Sequence, residues 1–410
     1  MKTGFRTFIT ARAISIFGDR VAGIVLPLAV LASTGSAIST AIVSAALQLP
    51  AVLGAFHLGA LVDRFDRRAM MIAADVVCAF CYVAIGAELL LADGRLPVLL
   101  VFALLAGMAD TVFSTAAGSY LPHLADGKDL MRANGLVEGS DAAATLAGPA
   151  VGGWLMQAFG TFVAFLTNTV SFIVSAVLIS SLPRNRAAVT EGEEADESVL
   201  AGLRLIVRDR RQRVLLTAAG YMHLLAAVAF LPLLVRMRDE LNLGPQVIGL
   251  VIAAAGVGGL ISSLLIARWC ESRYWSLLLA AVLAVNGAAT GALALFDSAA
   301  WLAATVLVLD GASALAFIIV AATRQRITLD HVRGRVLAAG GAVTALVRLL
   351  GVVAVGALTD RVGPNPVLAG LALAGVPFVV LLLAAAGSQG FGRAESSEPR
   401  TIIRQTVGTE

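Results

Sequence analysis

Charged side chains are scarce in this chain: 14% of its residues are Asp, Glu, Lys or Arg, where a soluble domain carries about 25%. That deficit excludes a fully water-exposed surface, whereas a lipid-facing one needs no charge. Cysteine is scarce too. Cys78, Cys81 and Cys270 are too few for a disulfide framework. The Cys78/Cys81 spacing, elsewhere a redox or metal pair, falls inside an apolar run with no second pair and no clustered histidines, so these positions read as small apolar filling. Lysine is nearly absent and arginine abundant, a bias of GC-rich bacteria. There is no Walker sequence, which excludes ATP-driven work by this chain alone, and no Ser/His/Asp set, metal constellation or Gly-rich phosphate loop. The chain therefore reads as no enzyme, with no metal site and no cofactor. No small-residue cleavage site closes the mildly basic start Met1–Thr10, so the first apolar run is a retained span.

What the chain does have is apolar length. Hydrophobic residues make up 59% of it, and mean hydropathy is +0.88. A bilayer core about 30 Å thick takes roughly 20 apolar helical residues. Runs of that kind recur over 8–31, 38–62, 69–92, 97–119, 134–158 and 161–182, then 214–235, 246–267, 275–296, 300–321, 336–358 and 366–386. The expectation is an all-α membrane protein of twelve transmembrane helices in two pseudo-symmetric six-helix bundles. The bundles are 1–182 and 214–386, joined by a cytoplasmic linker, 183–213, and followed by a disordered cytoplasmic tail, 387–410. The linker holds an acidic run over 191–197 and then Arg204, Arg208, Arg210, Arg211 and Arg213. Its latter half forms an amphipathic helix, with Leu203, Ile206 and Val207 opposed to the arginines. Because this basic cluster is flanked by spans on both sides, it reads as membrane surface and not as nucleic-acid binding.

Arginines set the orientation. With the N-terminus in the cytoplasm, Arg64, Arg67, Arg68, Lys128, Arg132, Arg268, Arg273, Arg324, Arg326, Arg333 and Arg335 all fall inside. The opposite side receives Arg95, Arg236, Arg238 and Arg361. This positive-inside asymmetry puts both termini in the cytoplasm. The halves also match each other. An offset of about 203 residues lays Arg132 on Arg335, Gly148 on Gly351, Gly153 on Gly356 and Gly160 on Gly363. Two parallel repeats imply a pseudo-twofold axis along the membrane normal, with a site between the halves.

Two motifs stand out. After the second span the chain reads Gly59-Ala60-Leu61-Val62-Asp63-Arg64-Phe65-Asp66-Arg67-Arg68. A glycine near the helix end permits close packing, and an aspartate followed by arginines offers a charge pair and a cap. In the fifth span, Gly148 and Gly152 make a small-xxx-small face, Pro149 bends the helix, and Gly153 follows. At these residues the chain resembles the major facilitator superfamily. That family's loop signature is Gly-x-Leu-x-Asp-Arg-x-Gly-Arg-Arg/Lys, and its exporters carry an antiporter motif Gly-Pro-x-x-Gly-Gly. Asp66 replaces the signature glycine, as in the branch of macrolide and multidrug effluxers and enterobactin-type siderophore exporters. The stretch from Leu121-Pro122 to Asn134 resembles the same branch, and the resemblance runs from about Phe5 to Ala386. It implies that Gly59, Asp63, Arg64, Arg67 and Arg68 latch the halves. Glu138 and Asp141, one turn apart near the cytoplasmic end of the fifth span, are expected to meet Arg64 or Arg67, with solvated caps as the alternative. A generic glycine-rich packing seam remains the alternative for Gly148, Pro149, Gly152 and Gly153.

An ionised residue at bilayer depth costs about 2.5–3.5 kcal/mol on insertion scales, so each needs a reason. The resemblance implies that spans one, four, seven and ten line a central cavity, and these carry Asp19 with Arg20, Asp110, His223 and Asp310. A carboxylate partly withdrawn from water can load and release a proton near neutral pH. Asp19 is the leading proton-coupling candidate, with a structural pair or helix-bend contact as its alternative, followed by Asp110 and then His223, whose alternative is a satisfied polar group. Arg20, Asp310 and Arg348 are candidates for the substrate cavity, although a structural Asp310–Arg348 ion pair is the preferred reading of those two. Asp75 and Glu88 sit near the ends of the third span and snorkel. The motifs and membrane carboxylates favour proton-coupled efflux of a small amphipathic molecule (a drug, an antibiotic or a siderophore) across the bacterial cytoplasmic membrane. The proton gradient supplies the energy, and the partners are that small molecule and the lipid bilayer around a monomer. An importer of a small polar metabolite and a non-transporting membrane sensor stay open, although Gln48, Gln157, Asn168 and Asn286 are few amides for a sugar site.

Overall fold

A computed structural model describes residues 3–53, 62, 64–92, 94–125, 127–185, 195–266, 275–328 and 330–387. Among these, every regular element is helical. The first group is α1 (Thr3–Thr34), α2 (Ala37–Leu53), α3 (Arg67–Leu91), α4 (Leu96–Leu124), α5 (Gly127–Phe159) and α6 (Thr161–Ser180). The amphipathic α7 (Ala195–Arg208) follows. The second group opens with α8 (Arg210–Val228), α9 (Phe230–Val235) and a π-helical turn (Arg236–Glu240). It continues with α10 (Pro245–Ile266), α11 (Trp275–Ala292), α12 (Ala299–Ile327), α13 (Asp330–Val362), α14 (Pro364–Ala374) and α15 (Val376–Gly387).

Among the described residues, ten segments are long and apolar enough to cross a membrane, with Arg210–Glu240 and Pro364–Ala384 each counting as one. Two of the expected twelve fall outside that set. α2 is described over 17 residues, and 54–61 lie outside the described residues. α5 is 33 residues long, but Asp129, Arg132, Glu138 and Asp141 occupy its first half and lower its hydropathy. Large apolar side chains such as Phe80, Leu104, Val177, Leu264 and Val380 face outward, which suits a lipid surface.

Local chemistry explains several boundaries. Asp66 caps α3: its carboxylate accepts hydrogen bonds from Arg68 N at 3.0 Å and Asn185 N at 3.2 Å. The aspartate that breaks the loop signature thus starts a helix. α7 buries Ile206 against Val336 and Ala339 of α13, while Val207 turns outward at 55% exposure. The expected apolar face therefore loses Val207.

Within the first group α3 packs on α4 and α6, α1 on α5 and α6, and α2 on α4. In the second, α12 packs on α10 and α11, and α13 on α8. The repeat offset shows in the geometry. Gly160 and Gly363 precede α6 and α14 with φ of +84° and +83°, a left-handed conformation that favours glycine. Gly148 lies against Arg20 of α1, and its counterpart Gly351 against Leu224 of α8. Gly153 lies against Pro245 and Gly249 of α10, and Gly356 against Ala37 and Ala41 of α2.

Those last contacts belong to the two seams where the groups meet, α5 with α10 and α2 with α13. Both seams close at the face opposite α7. There Asp360 of α13 accepts hydrogen bonds from Ser36 Oγ (2.8 Å), Ala37 N (2.6 Å) and Ile38 N (3.0 Å), capping α2 across the boundary. Gln157 Oε1 accepts a bond from Gln246 N at 3.1 Å in the other seam.

Candidate functional site: a central cavity between the two helix groups

A cavity of about 810 Å³ lies between the groups and draws its walls from both. Close packing sets its shape. A side chain at Gly18 would collide with Asn168 and Ser171, so α1 sits tightly on α6. One residue on, and about 100° around the helix, Asp19 points to the cavity. Gly107 lets α4 approach the Leu47 carbonyl of α2, and Asp110, one turn later, faces the same space. Tyr82 and Phe172 add aromatic surface on this wall. The second group contributes His223 and Phe230, Phe317 and Arg348. The His223 ring lies over Phe317, with centroids 4.6 Å apart.

The two walls differ in charge. Asp19 and Asp110 face the cavity from the first group. Neither Asp19 nor Asp110 forms an ion pair among the described residues. Arg12, which the sequence reading passed over, holds its guanidinium 5.1 Å from the Phe113 ring centroid. Arg20 lines the cavity but is not free. Its guanidinium grips Asp141 of α5 in a bidentate pair, with Nη2 2.7 Å from each carboxylate oxygen and Nε 3.0 Å from Oδ1. One wall thus carries two carboxylates facing the cavity, and the other carries Arg348 and His223.

The remaining expected site residues sort as follows. Asp310 is not among the lining residues and makes no ion pair with Arg348. It sits against α10, with its Oδ2 3.1 Å from the Cβ position at Gly259. Gly59 and Asp63 of the loop lie outside the described residues. Arg64 is exposed. Arg67 donates to the Ser119 carbonyl at 3.0 Å and lies 2.7 Å from His123 Nε2. Arg68 donates to the carbonyls of Ile179 and Ser180. These arginines fasten α3 to α4 and α6 within one group. The expected meeting of Glu138 and Asp141 with Arg64 or Arg67 is corrected accordingly. Asp141 faces α1 and takes Arg20, while Glu138 is exposed. Asp75 is also corrected: it is 1% exposed and cannot snorkel. Glu88 pairs with Arg95 at 2.8 Å.

The glycine segment of α5 is a two-sided seam. Gly148 and Gly152 face α1, where a Cβ at Gly152 would stand 2.7 Å from Ile24 Cγ2 and 2.9 Å from the Val21 carbonyl oxygen. Pro149 and Gly153 face α10, against Gly249 and Pro245. The sequence reading missed Asp360 as well, because a charge at a helix end calls for no explanation there. Among the described residues, no group of three or more His, Cys, Asp or Glu side chains could hold a metal ion.

Comparison with known proteins places this geometry. The family profile described as Major Facilitator Superfamily matches residues 8–352. The multidrug efflux pump Tap of Mycolicibacterium fortuitum is 28% identical over 378 residues, 87% of this chain and 89% of the pump. The enterobactin exporter EntS of Shigella boydii is 23% identical over 264 residues, 63% of this chain and 62% of the exporter. The inward-facing crystal structure of a bacterial homologue of the iron transporter ferroportin superposes with a TM-score of 0.73 at 18% identity, over 95% of this chain and 100% of that one. The outward-facing structure of such a homologue gives 0.61 at 19% identity, over 94% of this chain and 99% of that one.

Proposed function

The chain belongs to the Major Facilitator Superfamily and is a transporter, and we propose that it exports small amphipathic molecules from the cytoplasm in exchange for protons. In this reading twelve spans in two six-helix bundles rock about the central cavity, with both termini cytoplasmic. The face closed by Asp360 and Gln157 is then the outer one, and the described conformation is the one that loads cargo.

One observation carries the proposal. Among the described residues, Asp19 and Asp110 face a cavity of about 810 Å³ without an ion-pair partner, while Arg20 beside them is neutralised by Asp141. A carboxylate at this depth is costly to keep ionised and unpaired. Either a cargo cation or a proton relieves that cost, so the two compete for the same oxygens. Cargo enters on the ionised carboxylates, and after the bundles rock, protons arriving from the outer side displace it. Aromatic and aliphatic walls (Tyr82, Phe172, Phe230, Phe317) give apolar area without fixed hydrogen-bond geometry, which suits varied amphipaths. Arg348 and His223 on the facing wall favour a second cargo class, anionic amphipaths such as catecholate siderophores. The similarity to EntS adds to that second reading.

The test is a panel of lipophilic cations and siderophores in a pump-deleted host, with and without an uncoupler. Uncoupler-sensitive reduction of cell-associated cargo is expected. Export of no member of the panel, or export that ignores the uncoupler, overturns the reading.

A further inference from the structure

α3 presents Asp75, Cys78 and Tyr82 at i, i+3 and i+7, along one helix face. Cys78 and Tyr82 line the cavity. Asp75 lies one turn nearer the α7 face and is buried. Among the described residues its Oδ2 has no hydrogen-bond partner, and the hydroxyl of Ser175, fully buried on α6, is the polar group set against its carboxyl. Higher on α6, the buried Nδ2 of Asn168 is also unpartnered. Unsatisfied polar atoms of this kind are rare in protein interiors, and each asks for an explanation.

The charges around Asp75 are few. Arg12 of α1 and Asp110 of α4 act on it, Asp19 of α1 feels it in turn, and α6 carries no titratable side chain. Arg20 also acts on Asp19 but is held in its pair with Asp141. Asp19, Asp75 and Asp110 all lie within the field of Arg12, and none forms an ion pair with it among the described residues. Ionising all three would leave two uncompensated negative charges inside the bilayer, which is strongly disfavoured. Asp75 is the least exposed of the three, at 1%, and lies outside the cavity lining.

We propose that Asp75 is a proton-binding site of the transport cycle, in series with Asp19. A proton taken up from the cavity by Asp19 passes to the Asp75 carboxylate. One O–H bond breaks at the first carboxyl and one forms at the second, which leaves Asp19 ionised and ready for cargo. The inference rests on the proton-coupled reading above, and it adds a storage site that the cavity lining alone does not contain.

The test uses the full chain in lipid vesicles. pH-difference infrared spectra report protonated carboxyl groups without any cargo. Asp75→Asn should lose one carboxylic-acid C=O band, and Asp75→Glu should move it. In the same vesicles, Asp75→Asn should let ethidium run down its own gradient, yet lower proton-driven ethidium accumulation by about tenfold or more. It should also flatten the pH profile of that accumulation, with glutamate restoring part of both. A wild type that moves ethidium without protons sinks the coupling reading, and the infrared bands still decide on Asp75. Every wild-type band intact in Asp75→Asn, or unmoved in Asp75→Glu if the asparagine variant does not fold, overturns the assignment. So does wild-type accumulation with an unchanged pH profile.

Discussion

Asp360 is the most exposed to test of the residues that join the two helix groups. Its carboxylate receives three hydrogen bonds, one from the Ser36 hydroxyl and two from the first backbone amides of α2. Replacing it with alanine removes an N-cap, worth about 0.5–2 kcal/mol, and an anion at a helix N-terminus, worth about 0.3–1 kcal/mol. Asp360 is solvent-exposed, so the two overlap and water screens part of the second. A combined loss of about 1–2 kcal/mol, or roughly 5–30-fold in an equilibrium constant, is reasonable. Because the bonds cross from one group to the other, that loss falls on the closed state of this face alone. Spin labels at Ala32→Cys and Val362→Cys, both exposed at this face, read the population by pulsed electron resonance. Asp360→Ala should shift the distance distribution toward longer, separated values by that factor. Asparagine, which keeps an acceptor oxygen and loses the charge, should fall between. An unchanged distribution in Asp360→Ala would mean that the seam is held by apolar packing of Ala37, Ala41, Val352 and Val355 instead.

Other substitutions test neighbouring parts of the account. Gly152→Leu puts a side chain into Ile24 and the Val21 carbonyl, and should cost roughly 1–3 kcal/mol by overpacking. A detergent melting curve and efflux rate matching wild type would show that α1 and α5 are not pressed together there. Reversing either charge of the Arg20–Asp141 pair should lower membrane yield modestly. The two side chains are 45% and 37% exposed, so the pair contributes about 1 kcal/mol or less. The double exchange, Arg20→Asp with Asp141→Arg, should restore yield, and failure to restore it would deny the pairing. Asp63→Asn should leave insertion intact and slow export sharply, and normal rates at normal expression would remove that loop from gating.

Much of this arrangement is legible in sequence because a bilayer makes charge expensive. Asp19, Asp110, His223 and Arg348 each interrupt a long apolar run, and all four line the cavity. The glycine offset is legible for a related reason. Gly160 and Gly363 occupy the same left-handed turn in each half, and Gly153 and Gly356 the same close helix approach. What escaped was partnership. Nothing local in the sequence ties Arg20 to Asp141, 121 residues away. Asp75 was misjudged from its distance to the end of an apolar run, when helix rotation, and not depth alone, decides whether a side chain faces lipid, protein or water. Asp310 shares the depth of the cavity residues but is rotated toward α10. Asp360 sits where charges are ordinary, and its role follows from which helix begins beside it.

The central claim is that carboxylates in this cavity exchange protons for cargo, and Asp19 tests it most directly. The measurement is uphill, uncoupler-sensitive dye efflux together with proton movement in vesicles, both normalised to transporter in the membrane. Asp19→Asn should abolish accumulation against a gradient and the accompanying proton movement, while dye binding persists. Asp19→Glu should retain part of the activity, since it keeps the proton and moves the carboxyl by one methylene. An asparagine variant that exports uphill as well as wild type, with the same proton movement, would contradict the account.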